Sequence, residues 1–413
     1  MFRFIHSADW QLGARFSQFG ASGRRLRQAR LTTLEKALTL ARQQAVDAFF
    51  VAGDLFEDNQ VDDALVATVV EIFREHASVP IYLLPGNHDP FTGPDSVWQR
   101  QVLLSAPAHV HRLTTTGVTD LGGAFLLASP LHQKLSTVDP SLRLVELAAA
   151  VPADAIKIGI THGALAIEGK HQPNDFPIAL NAASRAGLDY LAIGHWHNWL
   201  AEFDGGRMVM PGTPEPDRFA NDASGHVALV EIPGPGQRPK IQALAVGTLM
   251  WRALSFDFLA AETSRWNLKA ELGELAARAD RTVVRVTLTG TASPADLASL
   301  RAWLEPALAP FLVGQLTDST RIALSATELA DLQVRHPILA QVLDDIDRLE
   351  TLATGNVTSV TPIRALSATS AALTLTEVQN LLGSAKIDLA QLTPAVFAQL
   401  RQRLLQTLQE VSR

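Results

Sequence analysis

Phe2-Arg3-Phe4-Ile5 runs directly into His6-Ser7-Ala8-Asp9. A short run rich in β-branched and aromatic residues reads as a strand, and the polar stop after it reads as a turn. The same pattern recurs four more times. Ala48–Ala52 leads into Gly53-Asp54, and Ile81–Leu84 into Pro85-Gly86-Asn87-His88-Asp89. Ile156–Ile160 leads into Thr161-His162-Gly163, and Tyr190–Ile193 into Gly194-His195-Trp196-His197. Helix-like stretches lie between them, at Leu26–Gln44, Asp62–His76 and Leu142–Ala150. Strands alternating with helices predict an α/β fold. In such folds ligands gather beyond the strand ends, where the connecting loops meet. All five polar clusters occupy that position.

The chain has 413 residues, enough for two or three domains at roughly 100–200 residues each. Hydrophobic residues make up 47% and charged residues 19%, a composition that buries a core and excludes general disorder. No apolar run reaches the roughly 18 residues of a membrane span. The N-terminus turns polar too soon for a signal peptide, which makes the cytoplasm the expected location. The absence of cysteine excludes disulfides, thiolate metal sites and cysteine nucleophiles. Net charge is −7, so no basic coat is available for nucleic acid. Phosphate binding then requires a local basic patch or metal ions.

Further strands are expected at Arg207–Met210, His226–Ile232 and Ile241–Val246, closing a first domain over residues 1–250. A helix at Ala261–Ala279, a strand at Thr282–Leu288 and a helix at Pro294–Leu308 predict a small α+β cap over 251–325. Residues 326–413 read as a mainly helical tail, interrupted by the Ser/Thr-rich segment Thr351–Thr376. Its last stretch, Pro394–Arg413, carries Leu400, Leu404, Leu405 and Leu408 at helical spacing. That stripe suits either a partner's groove or the tail's own packing.

Ten of the twelve histidines precede residue 200, which places the chemistry in the first half. The clusters offer Asp9, Asp54, Asn87, His88, His162, His195 and His197. Oxygen and imidazole donors without sulfur suit Mn2+, Mg2+, Fe2+ or Zn2+. Taken singly, each residue also has an ordinary explanation. Asp9 and Asp54 fit turn or helix-cap positions after strands. Asn87 could supply a left-handed turn after Gly86, and His162 could be a packed loop histidine. His195 and His197 point to opposite sides if the strand continues, so joint use requires a turn after Gly194. His6 lies inside a strand and is expected to be packed and hydrogen-bonded. Trp10 and Trp196 adjoin the clusters as either stacking or packing residues.

Taken together, the series resembles the calcineurin-like metallophosphoesterases: Asp9-x-Gln11, Gly53-Asp54, Gly86-Asn87-His88-Asp89, His162-Gly163 and Gly194-His195-x-His197. Within that family it most resembles the SbcD-type DNA repair exonucleases, including the YhaO-like branch, through residues 6–13 and 51–56. The likeness covers roughly residues 1–232. It implies a sandwich of two mixed sheets with helices outside, and two divalent metal ions, most readily Mn2+. One ion would be held by Asp9, Gln11, Asp54 and His197, the other by Asp54, Asn87, His162 and His195. His88 would face the phosphate, with Asp89 orienting it. The residue usual in the family at position 11 is histidine, so Gln11 departs from the pattern.

The activity implied is metal-dependent cleavage of DNA, as exonuclease or also endonuclease, with an SbcC-like coiled-coil ATPase as partner. A homodimer would form through helices near Asp62–His76. The basic cluster Arg24, Arg25, Arg27 and Arg30 follows the first motif. Arg24, Arg27 and Arg30 at spacings of three suggest one DNA-facing helix face, or else a solvated one. Two rival readings are a phosphoesterase acting on small molecules or phosphoproteins, and a non-catalytic scaffold with a decayed metal site. The cap and tail favour the nuclease subunit; Gln11 alone favours the scaffold.

Overall fold

The computed structural model describes residues 1–322 apart from 221 and 222, and scattered positions beyond. The chain forms two compact units, Met1–Trp251 and Arg252–Arg413. The sequence readings at Thr351–Thr376, at Pro394–Arg413 and over most of the expected tail lie outside the described residues.

In the first unit the strands are β1 (Phe2–Ser7), β2 (Ala48–Ala52), β3 (Ile81–Leu84), β4 (Val110–Arg112), β5 (Gly117–Asp120) and β6 (Phe125–Ser129). They continue as β7 (Lys157–His162), β8 (Tyr190–Gly194), β9 (Leu200–Phe203), β10 (Met208–Met210), β11 (His226–Ile232) and β12 (Lys240–Ala245). The helices are α1 (Gly23–Gln43), α2 (Asp63–Glu75), α3 (Gln101–Leu104), α4 (Leu142–Ala149) and α5 (Ala182–Arg185).

Two six-stranded mixed sheets result, ordered β12-β11-β1-β2-β3-β4 and β5-β6-β7-β8-β10-β9. Strands β1 to β4 run parallel, as do β6, β7, β8 and β10. The period of two along each strand sorts the side chains into layers. Phe4, Phe50 and Leu84 of one sheet share a buried cluster with Leu126, Ile158, Ile160 and Tyr190 of the other. Their neighbours Ile5, Phe49 and Leu83 point the other way, onto Leu34 and Leu38 of α1 and Val66 and Phe73 of α2. Leu191 and Ile193 likewise pack on Leu144 of α4 and Ala182 of α5. The unit is thus helix, sheet, sheet, helix. Each buried Phe, Leu or Ile adds about 1.5–3 kcal/mol of apolar burial.

His6 belongs to this core. It is fully buried, with Nδ1 2.9 Å from the Tyr190 hydroxyl, and burial lowers it to about 3, so it stays neutral. Trp10 is also fully buried and donates Nε1–H to Ser7 Oγ at 3.0 Å. Both are packing residues.

The second unit holds β13 (Met250–Asp257) from Arg252 on, β14 (Thr282–Thr289), β15 (Thr291–Ala292), β16 (Val313–Asp318) and β17 (Arg321–Ile322), with α6 (Ala261–Ala276) and α7 (Pro294–Leu308). The three-stranded sheet β13-β14-β16 packs Val284, Val286 and Leu288 against Leu268 and Leu272 of α6 and Leu300 and Leu304 of α7. Ser293 caps α7, accepting from the Asp296 N–H, and Pro294 stands in its first turn.

No helix of the described residues is long and apolar enough to cross a membrane.

Candidate metal centre

The parallel strands β1, β2 and β3 of one sheet and β7 and β8 of the other release their loops at their C-terminal ends, and there the donors meet. Asp9, Asp54 and His162 are buried and offer donor atoms within 4.8 Å of one another. The backbone turns sharply to bring them in. Asp9 (φ 55°), Gln11 (41°), Asp54 (55°) and His195 (135°) all have positive φ, a region costly for residues with a Cβ. Two glycines make room. A Cβ on Gly53 would lie 2.1 Å from His162 Nδ1, and one on Gly86 would lie 2.1 Å from Asp54 Oδ1.

Asn87 joins the two imidazoles. Its Oδ1 lies 2.8 Å from His162 Nε2 and 3.0 Å from His195 Nδ1. His162 Nδ1 donates to the Ala52 carbonyl at 2.8 Å, and His195 Nε2 stands 2.8 Å from Asp175 Oδ2. A neutral imidazole donates from one nitrogen only. In that neutral form, which holding a cation requires, each ring presents the lone pair of its other nitrogen toward Asn87 Oδ1, and the three atoms make up one donor set. Asp9 supplies a second sign. Its Oδ1 is buried without a hydrogen-bond partner, a costly condition for a carboxylate oxygen. The donor set fits a hard or borderline divalent cation.

The charges agree. Burial raises the Asp9 carboxyl above its ordinary value, against the pull of His162 and His197. Burial also opposes ionisation of Asp54, yet His162 and His88 hold its carboxyl well below the usual range. Burial lowers His162, but Asp54 and Asp9 outweigh it and push the ring up to about 9. Two buried carboxylates demand a positive partner.

Beside the centre opens a cavity of about 1070 Å³. Gln11, His88, His195 and His197 line it together with Trp196 and Arg218.

A model of the calcineurin-like phosphoesterase family matches residues 2–199. This stretch is a calcineurin-like phosphoesterase domain. The chain is 22% identical over 230 residues to the SbcD component of the nuclease SbcCD of Bacillus subtilis, covering 47% of this chain and 56% of that protein. It is 27% identical over 236 residues to the DNA double-strand break repair protein Mre11 of Methanopyrus kandleri, covering 52% of this chain and 49% of that one. The chain spans about half the length of these two relatives. The metallophosphoesterase YhaO of Bacillus subtilis is 22% identical over 369 residues, with 84% of this chain and 87% of that one covered.

Within the phosphoesterase domain, two sequence expectations need correction. Asp89 does not orient His88. It is fully buried and accepts from the Gly86 and Phe56 N–H groups, tying the loop after β3 to the loop after β2. The His88 ring is steered by the Glu57 carbonyl, 3.0 Å from Nδ1. Arg30 does not share the outer face of α1 with Arg24 and Arg27. Those two are exposed, whereas Arg30 is 2% exposed, donates to the Trp10 carbonyl and stands 3.6 Å from Asp217.

The structure also adds residues. Asp175 holds His195, and Asp217 Oδ2 lies 2.9 Å from His197 Nδ1. Neither belongs to a motif. The usable signal is chemical: a ligating imidazole needs an oxygen for its other nitrogen, and nearby loop carboxylates are candidates.

Proposed function

We propose that the domain is a metal-dependent phosphodiesterase that cleaves DNA, working with an SbcC-like coiled-coil ATPase. The observation that carries the phosphodiesterase part is the convergence of Asp9, Asp54, Asn87, His162 and His195 on one buried point beside a large open cavity. DNA as substrate is supported by the names of two relatives, a nuclease component and a double-strand break repair protein.

Two divalent ions, Mn2+ in this reading, would activate water and stabilise the charge that develops on phosphate oxygens. Asp54, Asn87, His162 and His195 would hold one, and Asp9, Gln11, Asp54 and His197 the other. The chain's own residues do the rest. His88 lines the cavity, and with Nδ1–H committed to Glu57 it keeps Nε2 for the leaving sugar oxygen or for phosphate charge. Arg15, Lys170 and Arg218 on the cavity wall suit backbone phosphates, and Phe16 and Trp196 suit stacked bases. Arg24 and Arg27 extend that phosphate track in the same proposal, and a homodimer through α2 belongs to it as well.

The test is hydrolysis of linear duplex DNA, single-stranded DNA and a small chromogenic phosphodiester, each with Mn2+ and with chelator. Mn2+-dependent shortening of DNA is expected. Turnover of the small diester without any DNA cleavage would instead assign a small-molecule phosphoesterase.

A further inference from the structure

The two histidines of Gly194-His195-Trp196-His197 are each held by a carboxylate from a different loop. His195 Nε2 lies 2.8 Å from Asp175 Oδ2, and His197 Nδ1 lies 2.9 Å from Asp217 Oδ2. A carboxylate oxygen only accepts, so each nitrogen carries the proton. The lone pair is then left on Nδ1 of His195 and on Nε2 of His197. For His195 that nitrogen is the one facing Asn87 Oδ1 at 3.0 Å.

We propose that Asp175 and Asp217 are paired positioning residues, each fixing the tautomer and aim of one histidine, so that each governs one half of the metal centre. The inference rests on the metal-centre reading above. Both carboxylates are anchored. The Asp175 carbonyl accepts from the Ala164 N–H at 3.0 Å, next to the His162-Gly163 turn. Asp217 stands 3.6 Å from the buried Arg30 guanidinium. Arg30 also donates to the Trp10 carbonyl, between Asp9 and Gln11. One cation thus braces both Asp217 and the turn bearing the other donors of that half.

A competitor sharpens the case for Asp217. Arg218 Nη2 lies 3.1 Å from the same His197 Nδ1. Were that guanidinium the donor, the proton would sit on Nε2 and His197 could not ligate. The carboxylate, at the shorter distance, selects the ligating tautomer. Removing its charge hands the ring to Arg218.

The test uses the full chain, stripped of metal by chelation, with Mn2+ as the probe. Calorimetry counts sites and affinities, and electron paramagnetic resonance separates a spin-coupled Mn2+ pair from isolated ions. The native chain is expected to bind two ions with a coupled spectrum. Asp175→Asn and Asp217→Asn should each keep one native-like site and weaken the other about 10–100-fold, the usual effect of losing such an outer partner. The lost site should differ between them. Gln11→His puts a stronger donor only in the half held by His197, so it should restore the second ion in Asp217→Asn and leave Asp175→Asn unchanged. Asp217→Glu, which keeps a carboxylate, should regain affinity where Asp217→Asn loses it. Melting of each metal-free variant by circular dichroism separates misfolding from site loss. Two native-like ions in both variants would overturn the inference, as would equal rescue of both by Gln11→His. A native chain that takes up no Mn2+ would instead overturn the metal reading itself.

Discussion

Gly86→Ala tests whether the centre depends on fit rather than on donors alone. The substitution removes no ligand, and Gly86 is not among the glycines held at positive φ, so backbone strain is not the issue. The added Cβ would stand 2.1 Å from Asp54 Oδ1 and 2.4 Å from Asp54 N, where even tight real contacts begin at 3.0 Å. The neighbours are a buried carboxylate and a backbone nitrogen, so nothing flexible can swing away. The loops after β2 and β3 must therefore part by about 1 Å, and a misplacement of that size costs on the order of 10²-fold in rate. The same shift stretches the bond from the His88 N–H to Asp54 Oδ1, now 2.9 Å. The assay is Mn2+-dependent hydrolysis of a small chromogenic diester, beside metal content and thermal melting. The expected result is a folded protein with a roughly 10²-fold lower rate and weakened metal binding. A variant with more than half the native rate and both ions in place would refute the claim that Asp54 is held to sub-ångström tolerance.

Asp54→Asn should abolish Mn2+-dependent cleavage while leaving far-ultraviolet circular dichroism unchanged; substantial activity in pure folded protein would exclude a bridging carboxylate. His88→Ala should lower turnover by about 10²–10⁴-fold with metal content intact, and stoichiometric loss of metal would make His88 a ligand. Gln11→His should lower the Mn2+ concentration for half-maximal rate, because imidazole is a better transition-metal donor than a neutral amide oxygen; an unchanged titration would remove Gln11 from the site. The metal-free protein should lose stability as pH rises. His162 is raised from 6.5 to about 9, so its charge contributes fully below about 6.5 and is lost through about 9; a melting temperature constant across that window would contradict this.

The convergence of Asp9, Asp54, Asn87, His162 and His195 was legible because each stands in a short motif at the end of an apolar run, and parallel strands carry such motifs to one edge. The family resemblance carried by Gly86-Asn87-His88-Asp89 likewise implied that Asp89 orients His88. The structure instead commits both Asp89 oxygens to backbone N–H groups, because the turn after β3 has its own buried donors to satisfy. Arg30 shows how a face is misjudged. A step of three along a helix turns back by about 60°, so Arg30 lies about 120° from Arg24. That rotation carries it into the stripe of Leu26, Ala29, Thr33 and Ala37, which α1 buries. Strand β6 was missed for a different reason. Phe125–Ser129 is a short apolar run, and periodicity alone does not separate such a run from buried helix. Asp175 and Asp217 belong to no motif, so chemistry makes them two of several candidate loop carboxylates and only folding sets them against the histidines.

The arrangement that results has one rule. Asp9 Oδ2 accepts from the His195 N–H at 3.0 Å and leaves Oδ1 without a partner. Asp54 Oδ1 accepts from the His88 N–H and leaves Oδ2 3.4 Å from His162 Nε2. His162 commits Nδ1 to the Ala52 carbonyl, and His195 commits Nε2 to Asp175. Each donor is tied to the scaffold through one polar atom and presents the other. Such tethering explains why the turns accept positive φ at Asp9, Asp54 and His195, at about 1–3 kcal/mol each. The bend lets the backbone N–H of one motif meet the carboxylate of another, so the strain and the aim of the free atom have a single cause. A site assembled this way has its ligand atoms placed before a cation arrives, with the His162 proton left to be displaced, and the flanking core holds the geometry.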